Sequence, residues 1–111
     1  MPKALGSASI RPVILSILAR QDSYGYEIIQ FASNLSDGSL DVKPGILYPI
    51  LRRMENDGLI VSYWQDGEGE RKRRYYRLTK RGRSALEVEK REWLRMHDAF
   101  LRLWSAEPCL T

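Results

Sequence analysis

The segment 44–78 constrains the fold more than any other stretch, because it commits the chain to an α-helix that runs almost directly into a β-hairpin. Pro44 suits a first helical turn, where its missing N–H would have no partner in any case, and Gly58 suits the left-handed exit after a last turn. Between them Ile46, Leu47, Ile50, Leu51 and Met54 recur at helical spacing, which leaves Tyr48, Arg52, Arg53 and Asn56 outward or on the flanks. Pro49 disturbs this pattern, since it removes the bond to the carbonyl of residue 45 and so predicts a kinked or late-starting helix. Residues 59–64 and 73–78 are rich in β-branched and aromatic side chains, and the charged, glycine-containing 65–70 between them is turn-forming, so the two runs form a hairpin. Alternation puts Tyr76 and Leu78 on one face and Tyr75 and Arg77 on the other, the pattern of a sheet covered on one side.

Two helices precede this unit. Ile10, Val13, Ile14, Ile17 and Leu18 share a helical stripe over 10–20, and Tyr24, Ile28, Phe31, Ala32 and Leu35 share another over 24–35. Asp22 or Ser23 can cap the second helix by accepting from an amide of its first turn. Residues 34–38 turn the chain, and 40–42 have room for one brief strand. Downstream, Thr79 can cap a helix that starts at Lys80 or Arg83 and meets no breaker before Ser105, with Pro108 beyond it. Leu86, Trp93 and Phe100 recur there every seven residues, Met96 and Leu103 hold the other seam position, and Leu94, Leu101 and Trp104 widen the apolar surface. A chain of 111 residues has nothing left to cover all of that stripe. A second copy of the chain is the economical cover, which makes Leu86, Trp93, Phe100, Leu103 and Trp104 the expected dimer interface.

Charge singles out the central unit again. Residues 43–83 carry eleven Lys and Arg against five acids, a net of +6, whereas 1–42 and 84–111 each sum to −1. That distribution is an electrostatic footprint for a polyanion rather than general solubility charge. With 43% hydrophobic residues the chain is sized for one small domain. No apolar run is long enough to span a membrane and no signal peptide is visible, so the expected location is the cytoplasm, and the lone Cys109 fits a reducing compartment. One His and one Cys, twelve positions apart, supply neither metal-ligand spacing nor an activated nucleophile. An enzyme is therefore not expected, and neither is a metal or other cofactor. Gly67-Glu68-Gly69 is no phosphate loop, since acids flank it and it lies at a hairpin tip.

The fold class that results is mainly α with a small β-hairpin, and the order helix, helix, helix, hairpin is that of a winged helix-turn-helix plus a long C-terminal helix. Its parts are a flexible arm (1–9), a DNA-binding domain (10–79), a dimerisation helix (80–105) and a tail (106–111). The cations Lys43, Arg52, Arg53, Arg71, Lys72 and Arg73 can replace counterions on duplex phosphates, while Gly45 permits close approach and Tyr48 or Arg52 can reach a base edge. A bidentate Arg-to-guanine contact is worth about 1 to 3 kcal/mol of discrimination. For Arg77, Lys80, Arg81 and Arg83, pairing with the glutamates of the last helix is the competing use.

Several motifs reinforce this reading. Ser23-Tyr24-Gly25-Tyr26-Glu27-Ile28, Gly45-Ile46-Leu47-Tyr48-Pro49-Ile50-Leu51, Glu55-Asn56-Asp57-Gly58-Leu59-Ile60 and Arg74-Tyr75-Tyr76-Arg77-Leu78-Thr79, with Gly82, resemble the PadR family of bacterial transcriptional regulators over residues 10–105. Leu47-Tyr48-Pro49 matches a family pattern in the recognition helix, so Pro49 is compatible with helix there. Lys43 departs from the family, which often has a small hydroxyl residue before the Pro-Gly pair. The single C-terminal helix is similar to the short subfamily, whose members are typically homodimers joined through that helix, and repression is the family's common behaviour. Some members carry a tryptophan at the position of Trp93, facing a pore between subunits where flat hydrophobic compounds stack. The resemblance thus implies an effector site at Trp93, Met96, His97 and Phe100, with a plain dimer core as the alternative. A twofold dimer implies a palindromic operator in double-stranded DNA. The rival readings are a winged-helix module for protein or RNA, and a ligand-binding dimer without DNA function.

Overall fold

The computed structural model describes residues 7–67, 69 and 71–105. The arm's first six residues, the tail with Pro108 and Cys109, and Glu68 and Glu70 of the hairpin tip lie outside them. Among the described residues four helices, α1 (Ser7–Arg20), α2 (Gly25–Leu35), α3 (Pro44–Asn56) and α4 (Lys80–Ser105), are joined by three strands, β1 (Ser23–Tyr24), β2 (Ile60–Asp66) and β3 (Lys72–Leu78). The fold is the winged helix-turn-helix with a long C-terminal helix. Ile10, Ile14, Leu15 and Leu18 of α1 meet Ile28 and Ala32 of α2, Leu47, Leu51 and Met54 of α3, and Ile60, Tyr76 and Leu78 of the sheet in one core.

Helix α3 begins at Pro44 and continues through Pro49 without a break, so the late start expected from that proline does not occur. The Lys43 carbonyl closes the first turn by accepting from the amides of Ile46 and Leu47. At the other end Gly58 has φ 79°, and the amides of Gly58 and Leu59 donate to the carbonyls of Glu55 and Met54. This Schellman closure satisfies the last carbonyls and turns the chain straight into β2.

The hairpin reaches farther toward its tip than expected, by two residues on β2, which also starts one residue later, and by one on β3, with Asp66 opposite Lys72 and Ile60 opposite Leu78. The third strand lies at 23–24 and not at 40–42, where a brief strand is expected from the sequence. Ser23 and Tyr24 pair with Tyr76 and Tyr75, which gives the antiparallel order β1-β3-β2. The capping role expected of Asp22 or Ser23 is accordingly not filled. Tyr24 occupies the cap position of α2 without a side-chain bond, Ser23 donates to the Gln21 carbonyl, and the Asp22 carboxylate is taken by the wing. No strand forms at 40–42, where Asp41 makes an isolated bridge and Val42 is buried.

Thr79 does cap α4, because its hydroxyl oxygen accepts from the Gly82 amide at 3.0 Å. Gly82 lies where α4 crosses the Leu59 backbone, and a Cβ there would collide with the Leu59 carbonyl oxygen. Helix α1 begins at Ser7, three residues inside the segment assigned to a loose arm. It packs on the first turns of α4, where Arg11 and Glu89 stand 3.2 Å apart. Leu86 was counted with the dimer interface from its seven-residue spacing, but it is 3% exposed and belongs to the chain's own core. From there α4 leaves the body, with Trp93 62% and Trp104 73% exposed and Phe100 stacked on Trp104 at 5.5 Å. The molecule measures 65 × 33 × 21 Å.

Candidate nucleic-acid interface

Burying Leu47, Leu51 and Met54 turns the opposite side of α3 outward, and that side carries Gly45, Tyr48, Arg52 and Arg53. Space above Gly45 is open to 4 Å around the position a Cβ would take, so nothing in the protein obstructs a close approach there. Tyr48 is 46% exposed, and its ring lies over Gly25 at the start of α2, where a Cβ would strike the hydroxyl. Arg52, Arg53, Arg71, Lys72 and Arg73 form no ion pair among the described residues. Lys43 differs, since its ammonium is 3.0 Å from Asp41.

The two faces of the wing are tied down by different carboxylates. On the face toward α3, Glu55 accepts from the Ser62 hydroxyl at 2.7 Å and from Arg74 Nη2 at 3.2 Å, which joins α3 to both long strands. Tyr76 is buried on this face, and burial holds its phenol above the ordinary tyrosine value. On the other face Asp22 accepts from the Tyr63 hydroxyl at 2.6 Å and from Arg77 Nε at 3.0 Å. The bond from Tyr63 to Asp22 raises the Tyr63 pKa, helped by desolvation and the carboxylate's charge, and Arg77's own bond to Asp22 raises the Arg77 pKa. Tyr63, Tyr75 and Tyr24 form a ladder there, stacked at 5.8 Å and edge-on at 5.3 Å. Arg73 lies 4.5 Å over Tyr24. Arg77 thus pairs with Asp22 and not with the glutamates of α4, because the residue-by-residue pairing of β1 with β3 brings Asp22 alongside.

Between α3, the wing and the start of α2 lies a cleft of about 480 Å³, whose walls include Arg52, Arg73, Arg74, Glu55, Tyr48 and Trp64. Of the residues expected to contact DNA, Arg52, Arg73 and Tyr48 line this cleft, whereas Lys43, Gly45, Arg53, Arg71 and Lys72 lie outside its walls. Arg74, Glu55 and Trp64 also line it, and none of them is among the residues that the sequence singles out. Counting back from the buried Tyr76 in twos places Arg74 on the α3 side, and that was the signal available.

A second concavity, of about 690 Å³, is almost wholly apolar and runs between α1, α2 and α4 past Ile17, Leu35, Leu86, Trp93 and Leu94. Of the four residues expected to hold an effector only Trp93 reaches it, and Met96, His97 and Phe100 lie farther out on the exposed part of α4. No helix among the described residues is long and apolar enough to cross a membrane.

The profile of the transcriptional regulator PadR-like family matches residues 14–88. The chain is 42% identical over 84 residues to the transcriptional regulator Rv3488 of Mycobacterium tuberculosis, an alignment covering 76% of this chain and 75% of that protein. It is 40% identical over 91 residues to the transcriptional regulator YqjI of Escherichia coli, which covers 82% of this chain but only 42% of that longer protein. Its fold is similar to the crystal structure of a PadR family transcription regulator from Clostridium difficile, with TM-score 0.73, 36% identity, and coverage of 86% and 98% of the two chains.

Proposed function

Because the chain belongs to the PadR-like family of transcriptional regulators, and with it to DNA-binding regulation, we propose that it is a homodimeric, sequence-specific repressor released by a small planar hydrophobic effector. The observation that carries this reading is the division of its unsatisfied groups between two places. Cations that form no ion pair among the described residues, Arg52, Arg53, Arg71, Lys72 and Arg73, gather on α3 and the wing. Aromatic side chains without cover gather on α4 beyond Leu86.

The first group supplies phosphate contacts, with Tyr48 and Arg52 at the base edges, Gly45 allowing the backbone close, and Lys43 adding charge once it exchanges Asp41 for a phosphate. The second is the self-complementary surface of a twofold dimer, in which Trp93, Phe100, Leu103 and Trp104 are covered by the partner copy. An effector that stacks on Trp93, with Met96, His97 and Phe100 around it, would alter the spacing of the two reading heads. Residues 10–79 form the reading head and 80–105 the spacer in this scheme.

Selection of bound sequences from a random duplex pool tests the proposal. A palindromic winner bound steeply less tightly as salt rises is the expected result. Weak, sequence-blind binding would sink it. For the effector, planar aromatic compounds are expected to quench tryptophan emission in the wild type and not in Trp93→Ala.

A further inference from the structure

Three arginines, Arg52, Arg73 and Arg74, line the cleft between α3 and the wing, with Glu55 as the one acidic residue among the described residues that line it. Two of the three are fixed in advance. The Arg73 guanidinium carbon lies 4.5 Å from the centre of the Tyr24 ring, and the group forms no ion pair among the described residues, so its donors remain available to an acceptor. Arg74 gives only Nη2 to Glu55, sits 6.0 Å from the Trp64 and Tyr76 ring centres, and keeps its side chain 45% exposed. A guanidinium has five donors in a rigid fork, so a second acceptor can engage Arg74 while the first is kept. Such a preset group of positive, planar donors is chemically matched to a phosphodiester and poorly matched to a neutral ligand.

The cleft's location agrees with that chemistry. A helix in the major groove and a hairpin across the neighbouring backbone must leave one phosphate strand between them, and the space between α3 and β2-β3 is this cleft. We infer that it is the seat of a backbone phosphate of duplex DNA, with Arg74, beside Arg52 and Arg73, as a phosphate-contacting residue and Glu55 as its resting partner. This rests on the DNA-binding reading above and extends the contact surface inward from the wing tip to the joint with α3.

The test is the slope of log affinity against log salt for a duplex that the wild type binds. Arg74→Gln keeps a donor for Glu55 while removing the charge, and it is expected to reduce the slope by about 0.9, the value of one phosphate contact on B-form DNA. The reduction is expected on cognate and unrelated duplexes alike, because phosphates carry no sequence. Glu55→Ala breaks the same ion pair from the other side and is expected to leave the slope at its wild-type value. Equal falls in both variants would mean that the pair acts only by bracing the wing, and an unchanged slope in Arg74→Gln would mean that its guanidinium meets no phosphate. Either result overturns the seat. A wild type that binds no duplex at any salt removes the DNA-binding reading, and the seat with it.

Discussion

At the scale of single residues, two glycines separate packing from function. A Cβ at Gly82 would meet the Leu59 carbonyl oxygen and stand 2.7 Å from Leu78 Cδ1, and a backbone oxygen cannot step aside. Gly82→Ala should therefore lose about 1 to 3 kcal/mol of stability, as overpacked sites commonly do, and urea denaturation measures it. At Gly25 the obstacle is the Tyr48 ring, the far end of a side chain that can swing away. In Gly25→Ala the melting temperature should change little while duplex affinity falls, because Tyr48 leaves the outer side of α3. Tyr63 supplies a pH dependence. Its phenol donates to Asp22, so ionising it breaks a bond and sets two negative groups side by side, and its folded pKa lies above the ordinary value. The folded state then holds the proton more tightly than the unfolded chain. Stability from this contact is complete below the unfolded tyrosine value of about 10 and is lost as pH rises through the folded one. Denaturant titrations on either side of that window should show a smaller alkaline loss in Tyr63→Phe than in the wild type.

At the scale of elements, the junction of α3 with β2 matters most, because a change in its angle would move the wing relative to the reading helix. Gly58 makes the junction at φ 79°, and only the Arg81 side chain, 3.8 Å away, approaches the place of its Cβ. An alanine there meets no steric obstacle and suffers the left-handed backbone alone, so Gly58→Ala should cost about 1 to 2 kcal/mol by thermal or chemical unfolding. Glu55 and Asp22 brace the wing from opposite faces, and both were invisible as braces in the sequence. Helix and hairpin themselves were legible, since the spacing of Ile46, Leu47, Ile50, Leu51 and Met54 and the alternation around Tyr76 are local patterns. Strand β1 was not legible. Two residues carry too little pattern to announce a strand, and only a neighbouring β3 with open backbone groups makes them one.

At the scale of the whole molecule, the body consumes α4 as far as Leu86 and leaves its far half bare. A helix of 26 residues is about 39 Å long, comparable with the roughly 34 Å turn that separates half-sites on DNA. Phe100→Asp should therefore yield a folded monomer by sedimentation, with operator affinity lowered and the unfolding of the core little changed. Inserting half a helical turn of DNA between the half-sites should weaken wild-type binding comparably. The sequence by itself determined the order of the four helices and the hairpin, the apolar stripe of each helix, the concentration of positive charge on 43–83 and the resemblance that names the family, because each is carried by residues close together in the chain. Only the tertiary structure decided that Leu86 is core and Trp93 is not, that Asp22 serves the wing and not a helix cap, and that Arg74 faces the same cleft as Arg52. Those outcomes depend on which groups distant in the chain come to lie against a side chain, and hydrogen bonds weaken steeply beyond about 3.2 Å. Heptad spacing places Leu86 and Trp93 on one stripe, but where the body of the molecule ends along that stripe is set by the packing of α1 against α4.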